Sequence, residues 1–328
     1  MAIVHGCGYV QPSFSHFTSM AYWHTGAPNS GEHYGWLGRL ADAINPALTA
    51  NFLVNIDERQ SLAVRAARHV PVVFDDPERF RRKGLYQRSP LLDLAPQGGT
   101  AENASQRYLD GIAASAREAS QLVRTAWAKY KTLVDYGLIS VDLPKVAAMI
   151  AADLPTRLYY TAYRRNAFDT HVQQGEQHQR LLSYVSDAVS GFMQDMERIG
   201  RADDVTILVF SEFGRRAAEN TSLGTDHGTA NPMYVIGKPV KGGHFGKPPS
   251  LAELDADGNV AHTTDFRRVY ASLIEGWFGY PESRALLSGD FAPLAMFTCK
   301  TPGPGFCIHI INPATRDAPT RSCFFRWC

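Results

Sequence analysis

Three short clusters carry carboxylates, two of them beside imidazoles. The first is Phe168-Asp169-Thr170-His171. Residues two apart in extended backbone project to one side. Asp169 and His171 can therefore offer one cation an oxygen and a nitrogen, and His178 could face the same space. The second cluster, Ser211-Glu212-Phe213-Gly214-Arg215, follows the apolar run Val205–Phe210. A carboxylate just past a buried strand tip suits a metal ligand or general base, so Glu212 fits either role. Arg215 is placed to hold an anionic oxygen. The third, Gly224-Thr225-Asp226-His227-Gly228, again supplies oxygen and nitrogen, between glycines that let backbone approach a ligand closely. A fourth segment, Ser13-Phe14-Ser15-His16, precedes Trp23-His24-Thr25-Gly26. A serine at a helix N-terminus gains from the helix dipole, as does an anion bound there. That suits a nucleophile in phosphoryl or sulfuryl transfer. Each group also has a purely structural reading: a turn-capping Asp, a Glu–Arg surface ion pair, an Asx turn, an N-cap serine. Three such clusters so close in sequence favour the chemical one.

The elements that must position these residues alternate. Ala2–Val4 reads as a strand running into a glycine-rich turn. A buried strand so early either lies at a sheet edge or belongs to a larger domain. Ser13 to about Tyr22 predicts a helix start with Ser13 or Ser15 as N-cap. Trp36–Ile44 predicts a short helix and Pro71–Phe74 a short strand. Asp75–Gln97 reads as loops and turns, and Ala101 to about Leu133 as a long helix. Leu143–Leu154 predicts a helix closed by Pro155, and Arg157–Tyr163 a Tyr-rich strand. From Gln177 to Ile199, Leu181, Val185, Ala188, Val189, Phe192, Met196 and Ile199 form one helical stripe, ended by Gly200. Val205–Phe210 has the unbroken apolar character of a central parallel strand. Met233–Ile236 predicts another strand and Asp265–Phe278 a helix. The alternation predicts an α/β fold with a mainly parallel sheet flanked by helices. In such sheets ligands bind beyond the carboxyl ends of the strands, where the clusters fall.

The 328 residues are 45% hydrophobic and 20% charged, which excludes a disordered or fibrous chain. A formal net charge of +1 gives no bulk attraction to nucleic acid or to an anionic membrane. No apolar run reaches the length of about 18 residues that a membrane-spanning helix needs, and no signal peptide opens the chain as written. Residues 298–328 hold Lys300, Arg316, Arg321 and Arg326 against Asp317 alone, a net +3 that leaves residues 1–297 at −2. They also hold Cys299, Cys307, Cys323 and Cys328, whose spacings match no paired zinc pattern. Residues 1–297 are therefore expected to form the domain, and 298–328 a poorly ordered tail outside it.

Several motifs carry a resemblance. They are Ser15-His16-Phe17, Trp23-His24-Thr25-Gly26, Gly35-Trp36-Leu37-Gly38-Arg39, Phe168-Asp169-Thr170-His171 and Phe210-Ser211-Glu212-Phe213-Gly214-Arg215. With them go Gly224-Thr225-Asp226-His227-Gly228-Thr229-Ala230-Asn231-Pro232 and Thr263-Thr264-Asp265-Phe266-Arg267-Arg268-Val269-Tyr270. Together they resemble a sulfatase-like bacterial family catalogued as domain of unknown function 1501, itself similar in fold to the alkaline phosphatase and sulfatase superfamily. The resemblance implies a metal-dependent hydrolase of phosphate or sulfate esters, acting on a small-molecule or carbohydrate ester. It implies divalent metal ions (zinc, calcium or magnesium) held by Asp169, His171, Glu212, Asp226 and His227. Ser15 is the implied nucleophile, with Ser13 behind it and His16 and Arg215 beside them. The pattern also departs from its relatives. Members usually begin with a twin-arginine export signal and a first strand ending in a Gly-Gly-x-Asp-like motif, and Met1 falls where the second strand would lie. Cys7 is followed by Gly8-Tyr9-Val10 rather than by a sulfatase nucleophile motif, and Ser211-Glu212-Phe213 replaces Ser-Asp-His. The departures imply a domain lacking its first strand and leave open that only one metal site is intact. They keep open an alternative: a non-catalytic or truncated member with a binding or assembly role. The resemblance suggests export to the periplasm; the chain as written suggests the cytoplasm.

Overall fold

Val205–Phe210 forms β5, and the alternation along it shows why both of its faces are apolar. Leu208 and Phe210 enter one hydrophobic core while Val205 and Ile207 enter another. The same division holds in β4 (Leu158–Ala162), where Leu158, Tyr160 and Ala162 face the first core and Tyr159 the second. A strand buried on both faces needs a continuous apolar run, and helices cover both sides. The computed structural model describes residues 1–80, 118–163, 167–298 and 306–311. The predicted loops of 81–97 and helix of 101–117 lie outside the described residues.

Before β4 come β1 (Ala2–Gly8), α1 (His16–Thr25), α2 (Trp36–Ile44), β2 (Leu53–Ile56) and β3 (Val72–Phe74). A helix at 118–129, here α3, and α4 (Leu143–Ala151) follow. Next stand α5 (Gln174–Arg198), β5, the short β6 (Gly214–Arg215) and β7 (His227–Gly228), and β8 (Asn231–Ile236). The remaining elements are β9 (Gly243–Phe245), β10 (Thr264–Asp265), α6 (Arg267–Ala271), α7 (Ser283–Leu287) and β11 (Phe306–Ile311). Among the described residues no helix is long and apolar enough to cross a membrane.

The main sheet runs β10-β1-β8-β5-β11-β4-β2-β3, with β9 also paired to β1. It is mixed, which corrects the expectation of a mainly parallel sheet: β8 runs antiparallel to both β1 and β5. The reason is local. No helix occurs between β5 and β8, and without a crossover helix the chain returns beside β5 in the opposite direction. The first strand is not at an edge. It has β8 on one side and β9 and β10 on the other, with its register shifting between Val4 and Cys7, where Gly6 takes φ +58°.

Two further corrections concern the helix of 101–133 and the tail. Helix α3 ends at residue 129 rather than 133. Beyond it the chain leaves the helix, and the buried Asp195 of α5 accepts hydrogen bonds from Tyr130, Thr132 (3.0 Å) and Tyr136 (2.7 Å). In the tail, residues 306–311 are not outside the fold. They form β11, parallel to β5 over Phe306–Ile311 and to β4 over Cys307–Ile311, in the middle of the sheet. Strands β4 and β5 do not pair with each other, and β11 supplies the hydrogen-bonding partner between them. Ile308 is fully buried there.

Candidate metal centre

The carboxyl ends of β1, β4 and β5 open on one space, where three of the four chemical segments meet a fourth from β7. Ser15 is the N-cap of α1, with no side-chain capping bond, and His16 is the first helical residue. Asp169 and His171 stand in the loop between β4 and α5. Glu212 follows β5, and His227 lies on the β6–β7 ribbon, paired with Arg215. The ribbon and its loop press closely on the site. A Cβ at Gly224 would stand 2.2 Å from the carbonyl oxygen of His171, and one at Gly214 would stand 1.8 Å from that of Ala230, so these approaches require glycine.

Three imidazoles turn their Nε2 atoms toward one carboxylate. His16 Nε2 lies 3.2 Å from Asp169 Oδ2, and His227 Nε2 lies 3.0 Å from Asp169 Oδ1. His171 Nε2 lies 2.9 Å from Asp169 Oδ1 and 3.0 Å from His227 Nε2. The opposite ring nitrogens all face acceptors. His16 Nδ1 is 2.8 Å from Glu212 Oε1, His227 Nδ1 is 2.8 Å from the Phe14 carbonyl, and His171 Nδ1 is 3.3 Å from Asp226 Oδ1. An acceptor on Nδ1 fixes the proton there and leaves Nε2 with its lone pair. His16 Nε2 is buried and has no hydrogen-bond partner despite its nearness to Asp169. Lone pairs converging on an anion repel one another unless a cation lies between them. His16, Asp169 and His227 offer ligand atoms within 4.8 Å of one another.

With no ion between these ligand atoms, protonated imidazoles would instead donate to Asp169 and carry charge. Burial pushes the Asp169 carboxyl up, but the His227 hydrogen bond and the charges of the three histidines outweigh it and hold the group at about 2. Burial lowers the His16 pKa, yet the hydrogen bond and charge of Glu212, with Asp169, win and raise it. The Asp169 shift reports that its neighbours favour the carboxylate, and the His16 shift reports the negative charge of Glu212 and Asp169 around that ring.

The structure gives the expected residues the following partners. His16, expected beside the nucleophile, joins Asp169 and His227 as a potential ligand, and His171 adjoins them. Glu212, expected as a ligand, backs His16, with its Oε2 accepting from Ser211 Oγ at 2.9 Å. Asp226, more than half exposed, backs His171 with Asn220 Nδ2 at 3.2 Å. Arg215 spends its donors on the Thr225 carbonyl (2.9 Å), the Phe168 carbonyl (2.7 Å) and Asp169 Oδ1 (3.2 Å), so it clamps the loop that carries Asp169. Ser15 is exposed between Phe14 and His16. Ser13 Oγ accepts from the Ser15 backbone N–H at 3.2 Å. His178 stays apart, against Phe168, and burial and the Arg215 charge lower its pKa. Sequence reasoning missed the Phe14 carbonyl, because backbone acceptors leave no mark on residue type.

The family model described as protein of unknown function (DUF1501) matches residues 3–284. The chain belongs to this family. No curated protein and no solved structure matches it. The match spans all the ligand candidates, from His16 to His227, and ends before β11.

Proposed function

We propose that this member of the DUF1501 family is a metal-dependent hydrolase of phosphate or sulfate esters built on a single imidazole-rich ion site. One observation carries the reading: the Nε2 atoms of His16 and His227 converge on Asp169 while their Nδ1 atoms are held by Glu212 and the Phe14 carbonyl. Metal-binding histidines are held in this way through their other nitrogen. Nitrogen donors with one carboxylate suit zinc, whereas calcium and magnesium favour oxygen shells. His16, Asp169 and His227 would hold such an ion, which would supply Lewis-acid polarisation of a phosphoryl or sulfuryl oxygen. Ser15, at the N-terminus of the ten-residue α1, is the proposed nucleophile. Its hydroxyl displaces the alcohol, which leaves with the proton. Water then displaces the serine and releases the inorganic anion. Glu212 holds His16, and Arg215 holds the Asp169 loop.

The rival reading is a non-catalytic member with a binding or assembly role. It draws on Arg215, whose guanidinium already compensates part of the Asp169 charge at 3.2 Å. Elemental analysis separates the two. The hydrolase reading expects stoichiometric zinc in protein purified with the metal present, and hydrolysis of 4-nitrophenyl phosphate or sulfate. His227→Ala should lose both. Protein that stays metal-free in excess zinc, and inert toward both esters, would refute it.

A further inference from the structure

The polar cluster is one end of a longer space. A cavity of about 420 Å³ runs from His16, Asp169, Glu212 and Arg215 into a gap between α5 and the β5–β8 pair. This volume falls within the ~300–1,000 Å³ of small-molecule sites. Its far walls are Tyr163, Leu182, Val185, Val209 and Tyr234. Val209 and Tyr234 are cross-strand partners, so their side chains stand together on one face. Leu182 and Val185 are three apart on α5 and share one helix face. The gap follows from how α5 packs. Its later residues Ala188, Val189, Phe192 and Met196 are buried, while Leu182 is 49% exposed. Two buried polar atoms on the lining, His178 Nδ1 and Asn231 Oδ1, have no hydrogen-bond partner.

We infer that the alcohol part of the substrate is an apolar ring or branched group that fills this cavity, with its phosphate or sulfate at the His16–Asp169 end. The inference rests on the hydrolase reading above and narrows it against a carbohydrate. A sugar entering these largely apolar walls would give up water from several hydroxyls for few partners, chiefly the Tyr163 and Tyr234 phenols, His178 Nδ1 and Asn231 Oδ1, and unreplaced hydrogen bonds are costly. An apolar group loses nothing by leaving water and gains from burial. The two unpartnered atoms would orient a single polar substituent.

The test compares 2-naphthyl phosphate and sulfate with glucose 6-phosphate and 6-sulfate on the zinc-loaded protein. It is repeated on Val185→Trp and Leu182→Trp, two helix-surface changes that fill the cavity. The expected result is a naphthyl preference in kcat/KM on the order of tenfold or more, the scale of discrimination an apolar pocket provides. Either tryptophan should erase most of it. Equal or better turnover of the sugar esters overturns the inference, as does a naphthyl preference untouched in both folded variants. Failure to turn over any ester counts against the hydrolase reading alone. The cavity is then judged by calorimetric binding of 2-naphthyl phosphonate: binding that the tryptophans weaken supports the inference, and no binding, or binding they leave unchanged, overturns it.

Discussion

His227 Nδ1 lies 2.8 Å from the carbonyl oxygen of Phe14, and that contact decides which nitrogen of His227 faces Asp169. It also ties the β6–β7 ribbon to the entrance of α1, segments more than 200 residues apart. The site therefore exists only when both are in place. His16 is fixed in the same way by Glu212 and His171 by Asp226, and the three supports differ in burial.

Unequal burial predicts unequal effects on metal affinity. Glu212 is 1% exposed and Asp226 is 55% exposed at the side chain. Glu212→Ala should weaken zinc binding about 10–100-fold, the usual effect of removing a ligand's support. Asp226→Ala should weaken it less, because water can replace an exposed acceptor. Competition with a chromogenic chelator measures both, and an equal or reversed ranking would show that these carboxylates do not act through the imidazoles.

Asp195 should behave as a structural hub unrelated to catalysis. Its fully buried side chain accepts from Tyr130, Tyr136, Thr132 and Arg198 Nε (2.7 Å). Asp195→Ala strands these donors and should cost about 2–4 kcal/mol in urea unfolding. Zinc content should be retained. A loss within about 0.5 kcal/mol, typical of an exposed site, would contradict the hub.

Acid sensitivity should come in part from His24. It lies fully buried with Nε2 3.0 Å from Tyr160 Oη, and burial lowers its pKa to about 3. The ordinary value is 6.5, so between these limits the unfolded chain binds a proton that the folded one refuses. Stability is then unaffected above about 6.5. As pH falls toward 3 it declines by about 1.4 kcal/mol per unit for this one proton. Urea midpoints between pH 7 and 4 should fall less steeply in His24→Gln than in the parent, and parallel slopes would rule His24 out.

The placement of β11 is tested by one residue. Ile308 is fully buried between β4 and β5. Ile308→Asp puts an unpaired charge in the core and should cost at least ~3 kcal/mol, or prevent folding. If residues 306–311 lay outside the fold, the same change would leave the melting temperature where it was.

Much of the scaffold was legible because its signals are local. The stripe Leu181-Ala188-Phe192-Met196 marks α5, and the run Val205–Phe210 marks β5 to the residue. Ser15 was among the N-caps expected for α1. The site residues were legible as types at strand ends. Their contacts were not, because which imidazole a carboxylate meets depends on tertiary distance. His16 was set beside a nucleophile on adjacency alone, while its partners Glu212 and Asp169 are remote in sequence. The inserted β11 escaped for a related reason, since strand order is a long-range choice that composition does not encode, whereas the reversal of β8 follows locally from the lack of a crossover helix after β5. The partner that the chain meets after α3 was hidden in Asp195, some sixty residues downstream.

The position of β11 has a consequence for biosynthesis. Residues 306–311 are translated about a hundred residues after β5, yet they form the seam of the sheet. At roughly 5–20 residues per second, the facing edges of β4 and β5 wait on the order of five to twenty seconds for their partner. Open strand edges recruit other chains. The yield of native protein should therefore depend on translation speed and on chaperones that shield nascent edges, even where the finished molecule is stable.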